Sequence, residues 1–395
     1  MRILLLQDQV YLPSLGGGNK ANRLLLEGLA ANGHECRAVA SALTTRAGPT
    51  SREALEADMG RRGIQLQSPR DGVFAFAHND VYVEAMDFVN VAAMRRHVVE
   101  TIEAFRPDWV LASDDKRRVL LDSALSRCAE RVILLLQTVF HLPFGPHAVR
   151  KSKRQTELMG RARGLVAISE YLRTYLKTHA DLEATLVPLP VYGPGPFTPR
   201  NNFSRGFVTL INPCVEKGLD IFLALASRYP AIDFAAVPTW GADTSVLGAL
   251  AEAPNVTVRP PVDDIDELLE ETRILLVPSV WPETFGYVVP EAMLRGIPVI
   301  ASDVGGLAEA KLGVDYLLPV RPAEWRDGGY VSPEQDLGPW LNALDTLLTD
   351  RAAYRRCSDA SRRAALRFAS RARTENFESY LRDCAAAGGA GSPSP

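Results

Sequence analysis

Short apolar runs recur along the chain between stretches with helical spacing: ILLL at 3–6, RAVA at 37–40, WVLA at 109–112, RVILLL at 131–136 and GLVAIS at 164–169. Such runs predict buried strands, and their alternation with helical patterns predicts a parallel, doubly wound α/β sheet. Between Asn19 and Ala31, for example, Ala21, Leu25 and Leu29 recur every four residues and Gly33 supplies a stop, so each strand has its crossover helix.

A helical segment, SEYLRTYLKTHA at 169–180, is followed by LVPLPVYGPGPFTPRNN at 186–202, too dense in proline and glycine to continue a helix or a central strand. The alternation then resumes with FVTLI at 207–211, FAAVP at 234–238, VTVRP at 256–260, ILLVP at 274–278 and PVIAS at 298–302. The expected organisation is a Rossmann-like domain over 1–190, a linker over 191–205 and a second Rossmann-like domain over 206–370. The helical stretch that begins near 351 is expected to continue as a C-terminal helix at 371–385, returning to the first domain. The composition of GGAGSPSP predicts a disordered tail over 386–395.

Length and composition agree with two cores: 395 residues, 47% hydrophobic and 23% charged. A net charge of -3 argues against a nucleic-acid partner held by a positive field. The five cysteines, Cys36, Cys128, Cys214, Cys357 and Cys384, are odd in number and scattered, which fits a reducing cytoplasm better than a disulfide framework or a zinc site. No run approaches the roughly 20 apolar residues that span a bilayer. The basic run HAVRKSKRQTELMGRARG at 147–164 reads as a solvated helix face, with peripheral contact to an anionic lipid surface as the alternative. Oligomeric state is left open.

The chemistry concentrates in VPSVWPETFGYVVPEAMLRGIPVIASDVGG, Val277 to Gly306. After a strand ending near Pro278, a loop holds Glu283, Pro290 is expected at the first position of a short helix, Glu291 sits in its first turn and Gly296 closes it. A helix N-terminus suits a diphosphate, and an ionised carboxylate beside it accepts hydrogen bonds from sugar hydroxyls. On this reading Glu291 faces a ribose and Glu283 a transferred hexose, with Gly286 allowing close backbone approach; a carboxylate that merely complements the helix dipole is the plain alternative. In NPCVEKGLDIFLALA at 212–226 a loop carries Lys217 and Gly218 ahead of a helix whose apolar face is Leu219, Phe222, Leu223 and Ala226. Lys217 is a candidate to neutralise a leaving diphosphate.

Two glutamates separated by seven residues in PETFGYVVPEAM, followed by RGIPVIAS, resemble the signature of glycosyltransferase family 4. The resemblance spans nearly the whole chain and is weakest between about 45 and 100 and in the last twenty residues. It implies the GT-B fold, two Rossmann-like domains facing a central cleft, and a retaining transfer from a nucleoside-diphosphate sugar to an acceptor hydroxyl without metal or cofactor. It also implies catalytic or donor-binding roles for Glu283 on the sugar, Glu291 on the ribose, the backbone of Phe285, Gly286 and Tyr287 on sugar and phosphate, and Lys217 with Gly218 on the diphosphate. The family usually has an arginine five positions before the lysine; here Asn212 offers an amide donor without charge.

In the first domain, Gly16, Gly17 and Gly18 precede the first helix and permit positive φ, which lets N–H groups face an oxyanion; the family has a Gly-Gly loop at this place, by the donor phosphates and acceptor, and a flexible loop is the plain alternative. Gly16, Gly18 and Ala21 also fit a dinucleotide fingerprint loosely, but no acidic residue closes the second strand. His141 follows the strand RVILLL and resembles the family's histidine beside the reacting sugar. The pair Asp264 and Asp266 opens DDIDELLEETR and reads as a helix start rather than a metal site. An epimerase or phosphorylase on the same architecture, and a nucleotide-sugar-binding protein without turnover, are the competing classes. Base, sugar and acceptor (secondary-metabolite scaffold, lipid or glycan) stay open.

Overall fold

The computed structural model describes residues 1–44, 48–67, 71–87, 90–113, 116, 118–326 and 329–389, and divides into two compact units, Met1–Gly193 with Arg371–Pro395 and Pro194–Ser370. The boundary thus falls inside the proline- and glycine-rich stretch expected as a linker.

The first unit opens with β1 (Arg2–Val10), α1 (Gly17–Ala31), β2 (Glu35–Ser41), α2 (Arg52–Arg61), β3 (Val73–His78), β4 (Val81–Met86) and α3 (Val91–Phe105). It continues with β5 (Trp109–Ser113), α4 (Val119–Cys128), β6 (Val132–Leu136), α5 (Lys153–Met159), β7 (Gly164–Ala167), α6 (Glu170–Ala180) and β8 (Thr185–Leu186). Among the described residues the strands form one sheet in the order β3-β4-β2-β1-β5-β6-β7-β8. All neighbours are parallel except β3 and β4. That antiparallel edge hairpin departs from the wholly parallel sheet expected. Its turn, Asn79–Asp80, holds both residues at positive φ, the geometry that matches strand twist in a two-residue loop. Ile3 to Leu6 are fully buried, as a central strand covered on both faces requires.

The second unit runs β9 (Phe207–Ile211), α7 (Leu219–Arg228), β10 (Phe234–Val237), α8 (Thr244–Ala251), β11 (Val256–Val258), α9 (Ile265–Leu269), β12 (Thr272–Val277), α10 (Val288–Leu294) and β13 (Val299–Ser302). Then come α11 (Leu307–Ala310), β14 (Leu317–Leu318), the antiparallel pair β15 (Glu324–Arg326) and β16 (Gly329–Val331), α12 (Gly338–Thr349) and α13 (Arg351–Ala369). Its parallel sheet has the order β11-β10-β9-β12-β13-β14. α7 buries Leu219, Ile221, Phe222, Leu225 and Ala226, while Leu223, expected on this face, is half-exposed. Phe222 meets Phe234 of β10 edge-on at 5.5 Å.

The last helix, α14 (Thr374–Gly389), belongs to the first unit. Its Phe377 and Leu381 are fully buried. Gly28 of α1 leaves the space that Thr374 fills, since a Cβ there would overlap the threonine hydroxyl. Asn32 Nδ2 donates to Glu378 Oε1 at 2.7 Å, and Arg163 Nη2 to the Cys384 carbonyl at 2.6 Å. The helix continues through Gly389, correcting the tail expected from 386: Ala386 and Ala387 extend an already nucleated helix cheaply. Residues 390–395 lie outside the described residues. No described helix is long and apolar enough to cross a membrane.

Candidate functional site

In the second unit the strand order reverses between β9 and β12, where an open α/β sheet leaves a crevice at its carboxyl ends. The chain leaves β9 into Asn212–Gly218 and leaves β12 into Pro278–Tyr287, so the two stretches richest in candidate residues emerge side by side. They touch through backbone: Gly218 has φ +76°, a Cβ there would overlap the Pro278 carbonyl, and Val280 N donates to Glu216 O at 3.0 Å. Lys217 ends the 3-10 turn Val215–Lys217, and its ammonium forms an ion pair with Glu283 Oε1.

The same Glu283 oxygen accepts from Ser279 Oγ at 2.6 Å and from Trp281 Nε1 at 3.2 Å. Burial pushes the Glu283 carboxyl up, but the Lys217 charge and the hydrogen bonds from Lys217, Ser279 and Trp281 outweigh it and hold the group below its ordinary value. Lys217 Nζ also lies over the rings of Trp281, 5.1 Å from the centroid, and Trp240, 5.9 Å away. Ser279, Trp240 and Trp281 were not among the residues expected, although Ser279 and Trp281 stand four and two positions before Glu283.

The loop beyond Glu283 rests on the turn after β13. Gly306 N donates to Glu283 O at 2.6 Å, and a Cβ at Gly305 or Gly306 would overlap the backbone of Glu283 or Thr284. Phe285 is buried and stacks on Phe368 at 5.4 Å, with Tyr287 edge-on to Phe285 at 5.6 Å. Gly286 has φ +96°, and a Cβ there would lie 2.7 Å from Leu307 Cδ2. α10 begins at Val288 because Val289 N bonds back to Gly286 O, so Pro290 stands third in the helix rather than first. It still occupies a position whose N–H has no intrahelical acceptor. Glu291, buried at 5% exposure, follows it and bonds through its N–H to Tyr287 O.

Asn212 sits at φ +62°, a conformation asparagine tolerates, with Oδ1 accepting from Gly241 N at 2.8 Å. Among the described residues its Nδ2 is buried without a partner, as is Thr239 Oγ1 in the loop after β10. The Asp264 carboxylate caps α9, and Asp266 is held by Arg295 through two bonds of 2.8 and 2.6 Å, so the pair is engaged as a helix start.

Gly17, Gly18 and His141 belong to the first unit. Gly17 and Gly18 are the first residues of α1, and Gly16 before them has φ −109°, so the positive φ that these glycines permit is not used. Asn19 explains the difference: its Oδ1 accepts from Gly16 N at 2.9 Å and its Nδ2 donates to Val10 O at 3.3 Å, pulling the glycines into the helical turn. Behind them, Gln137 Nε2 donates to Asn22 Oδ1 and Asn22 Nδ2 to Gln7 Oε1, at 2.8 and 3.2 Å, a buried amide chain linking the residue after β6 to α1 and β1. The His141 carbonyl accepts from Arg118 Nη2 at 2.6 Å. Burial, then the charges of Lys116 and Arg118, push the His141 imidazole down to about 3, so it is neutral at pH 7. Among the described residues its Nδ1 is buried without a hydrogen-bond partner.

Solved structures match this architecture over almost its full length. Sucrose-phosphate synthase from Thermosynechococcus elongatus has a TM-score of 0.71 at 16% identity, covering 98% of this chain and 99% of that one. The fold is GT-B. The UDP-glucose complex of Anabaena HepE aligns with a TM-score of 0.64 at 17% identity, over 98% of this chain and all of that one. Residues 206–350, which carry the Lys217–Glu283 pair, match the family of glycosyl transferases group 1. A D-inositol 3-phosphate glycosyltransferase of Mycobacterium sp. (strain KMS) is 31% identical over 157 residues, 36% of this chain. An uncharacterized 42.6 kDa protein in the cps region of Klebsiella pneumoniae is 33% identical over 114 residues, 28% of this chain. The matched stretches span about a third of these relatives, 31% and 29% of their lengths.

Proposed function

We propose that the protein is a retaining glycosyltransferase of family 4 that moves a sugar from a nucleoside-diphosphate donor to an acceptor hydroxyl without a bound metal. The observation that carries the reading is the Lys217–Glu283 pair at the strand reversal of the second unit, inside the stretch that matches the group 1 glycosyl transferases. A cation and an ionised carboxylate held together are complementary to the two parts of such a donor, its diphosphate and its sugar hydroxyls. The five cysteines are free thiols, which supports work in a reducing cytoplasm.

In this reading Lys217 neutralises the departing diphosphate, the electrostatic role a metal ion fills elsewhere, and the unpaired Nδ2 of Asn212 donates to a phosphate oxygen. Glu283 accepts from hydroxyls of the transferred sugar, Glu291 from those of the ribose, and the backbone of Phe285, Gly286 and Tyr287 lines sugar and phosphate. Gly17 and Gly18 offer N–H groups at the start of α1, and neutral His141 orients the sugar by hydrogen bonding. The anomeric carbon–phosphate oxygen bond breaks as the acceptor oxygen bonds to the same face. The acceptor proton passes to the leaving phosphate oxygen.

The test is a thermal-shift screen in EDTA against UDP-, GDP-, ADP- and dTDP-sugars, repeated with Glu291→Ala. A selective rise of several degrees that the substitution abolishes is the expected result. A flat response across the panel would sink the transferase reading. Proton NMR of the product then reads the anomeric configuration, where inversion would overturn retention.

A further inference from the structure

Lys217 and Glu283, which the proposed reaction uses on different parts of the donor, are bonded to each other in the ligand-free protein. A diphosphate that draws Lys217 away takes the one cation that, among the described residues, pairs with a carboxylate at 9% exposure. A buried carboxylate left short of donors is strongly destabilising, so its remaining partners decide whether the exchange is feasible.

Those partners are Ser279 Oγ at 2.6 Å and Trp281 Nε1 at 3.2 Å, both on the oxygen that Lys217 contacts. Trp281 has a second contact that Ser279 lacks, because its ring lies 5.1 Å from Lys217 Nζ. The Trp240 ring, 5.9 Å from the Trp281 ring and tilted by 36°, extends the same π surface. Tyr330 of β16 meets Trp281 edge-on at 6.1 Å, and Ala323 N bonds to Val280 O at 2.6 Å, so the loop that carries Trp281 is braced by the segment leading into the β15–β16 pair. One rigid indole thus donates to the anion and offers its face to the cation.

We propose that Trp281 is a positioning residue that lets Lys217 pass from Glu283 to the phosphates of a donor without stranding the carboxylate, an inference that rests on the donor reading above. The indole N–H and Ser279 keep Glu283 hydrogen-bonded after Lys217 departs. The two indole faces keep the ammonium near the site by an attraction that does not depend on Glu283.

Two readouts test it, one without ligand. In acid unfolding of the ligand-free protein, Trp281→Phe keeps a ring but loses the donor to Glu283, so stability should be lost at a pH higher by roughly half to one unit. Ser279→Ala should move the limb in the same direction, and the double variant further. With UDP as probe, Trp281→Phe should bind about tenfold or more weakly than wild type by calorimetry, the worth of one hydrogen bond to a charged group, and by less than about twofold in the Glu283→Gln background, where no carboxylate is left to strand. Acid limbs that coincide with wild type in both single variants overturn the positioning role, as does UDP affinity that Trp281→Phe leaves unchanged or lowers equally in the Glu283→Gln background. Shifted limbs in a protein that binds no nucleoside diphosphate overturn the donor reading and, with it, the exchange.

Discussion

Replacing Lys217 by methionine keeps most of the side-chain volume and removes the charge that faces Glu283. The carboxylate then retains Ser279 and Trp281 in a site where its side chain is 11% exposed. Stripping one partner from a buried ion pair costs about 3 kcal/mol or more, equivalent to roughly 6–12 °C in the melting of a unit of this size. In the wild type the folded-state value of Glu283 lies below its unfolded value. Its contribution is therefore complete above the unfolded value and is lost as pH falls through the folded one. In the variant burial dominates and the sign reverses: the cost is largest at pH 8 and shrinks toward pH 4 as Glu283 takes up a proton. Denaturant unfolding followed by tryptophan emission reads this, since Trp240, Trp281, Trp325 and Trp340 all lie in the second unit. Wild type and variant should be furthest apart at pH 8 and converge near pH 4, and Glu283→Gln added to Lys217→Met should recover much of the loss at pH 8. A gap independent of pH, or a double variant no more stable than the single one, would refute the reasoning.

Gly218→Ala should destabilise the second unit by about 2 kcal/mol or more, because φ +76° and the Pro278 carbonyl both exclude a Cβ; calorimetric melting checks this, and an unchanged midpoint contradicts it. Lys311 is buried and donates to Val299 O, and burial pushes its ammonium down to about 8. The unfolded chain takes up this proton near pH 10 and the folded one only near 8, so stability falls as pH falls through that window. Lys311→Met should then be about 2–3 kcal/mol more stable at pH 7, with the advantage fading toward pH 10 in parallel melts. His141→Ala should lower kcat about tenfold or more without removing any limb near pH 6.5; loss of such a limb would show that His141 titrates during turnover.

The buried strands and the loops after β9 and β12 were legible because apolar runs of four to six residues and their glycine and proline punctuation are local signals. The β3–β4 hairpin was missed because its turn is Asn79–Asp80, without the glycine that usually marks two positive φ values in succession. The three glycines at 16–18 suggested an unusual backbone. The side chain of Asn19, bonding back to Gly16, decided for a helix, and composition alone does not rank those outcomes. Trp240 and Gly305–Gly306 were hidden for another reason: they reach the site only because the sheet order puts β10 beside β9, β9 beside β12 and the turn after β13 under the Glu283 loop. Sequence distance hides such neighbours.

The chain passes from the first unit to the second at 193–194 and back at 370–371, and α14 completes the first unit with residues made after the whole second unit. In heredity and in synthesis the second unit is therefore a cassette and the first is its split binding. A recombination event that exchanges the second unit between relatives needs two crossovers. A single crossover would pair one lineage's Thr374 and Glu378 with another's Gly28 and Asn32. On the ribosome the first unit stays unfinished until α14 emerges, by which time the whole Lys217–Glu283 site has already been made.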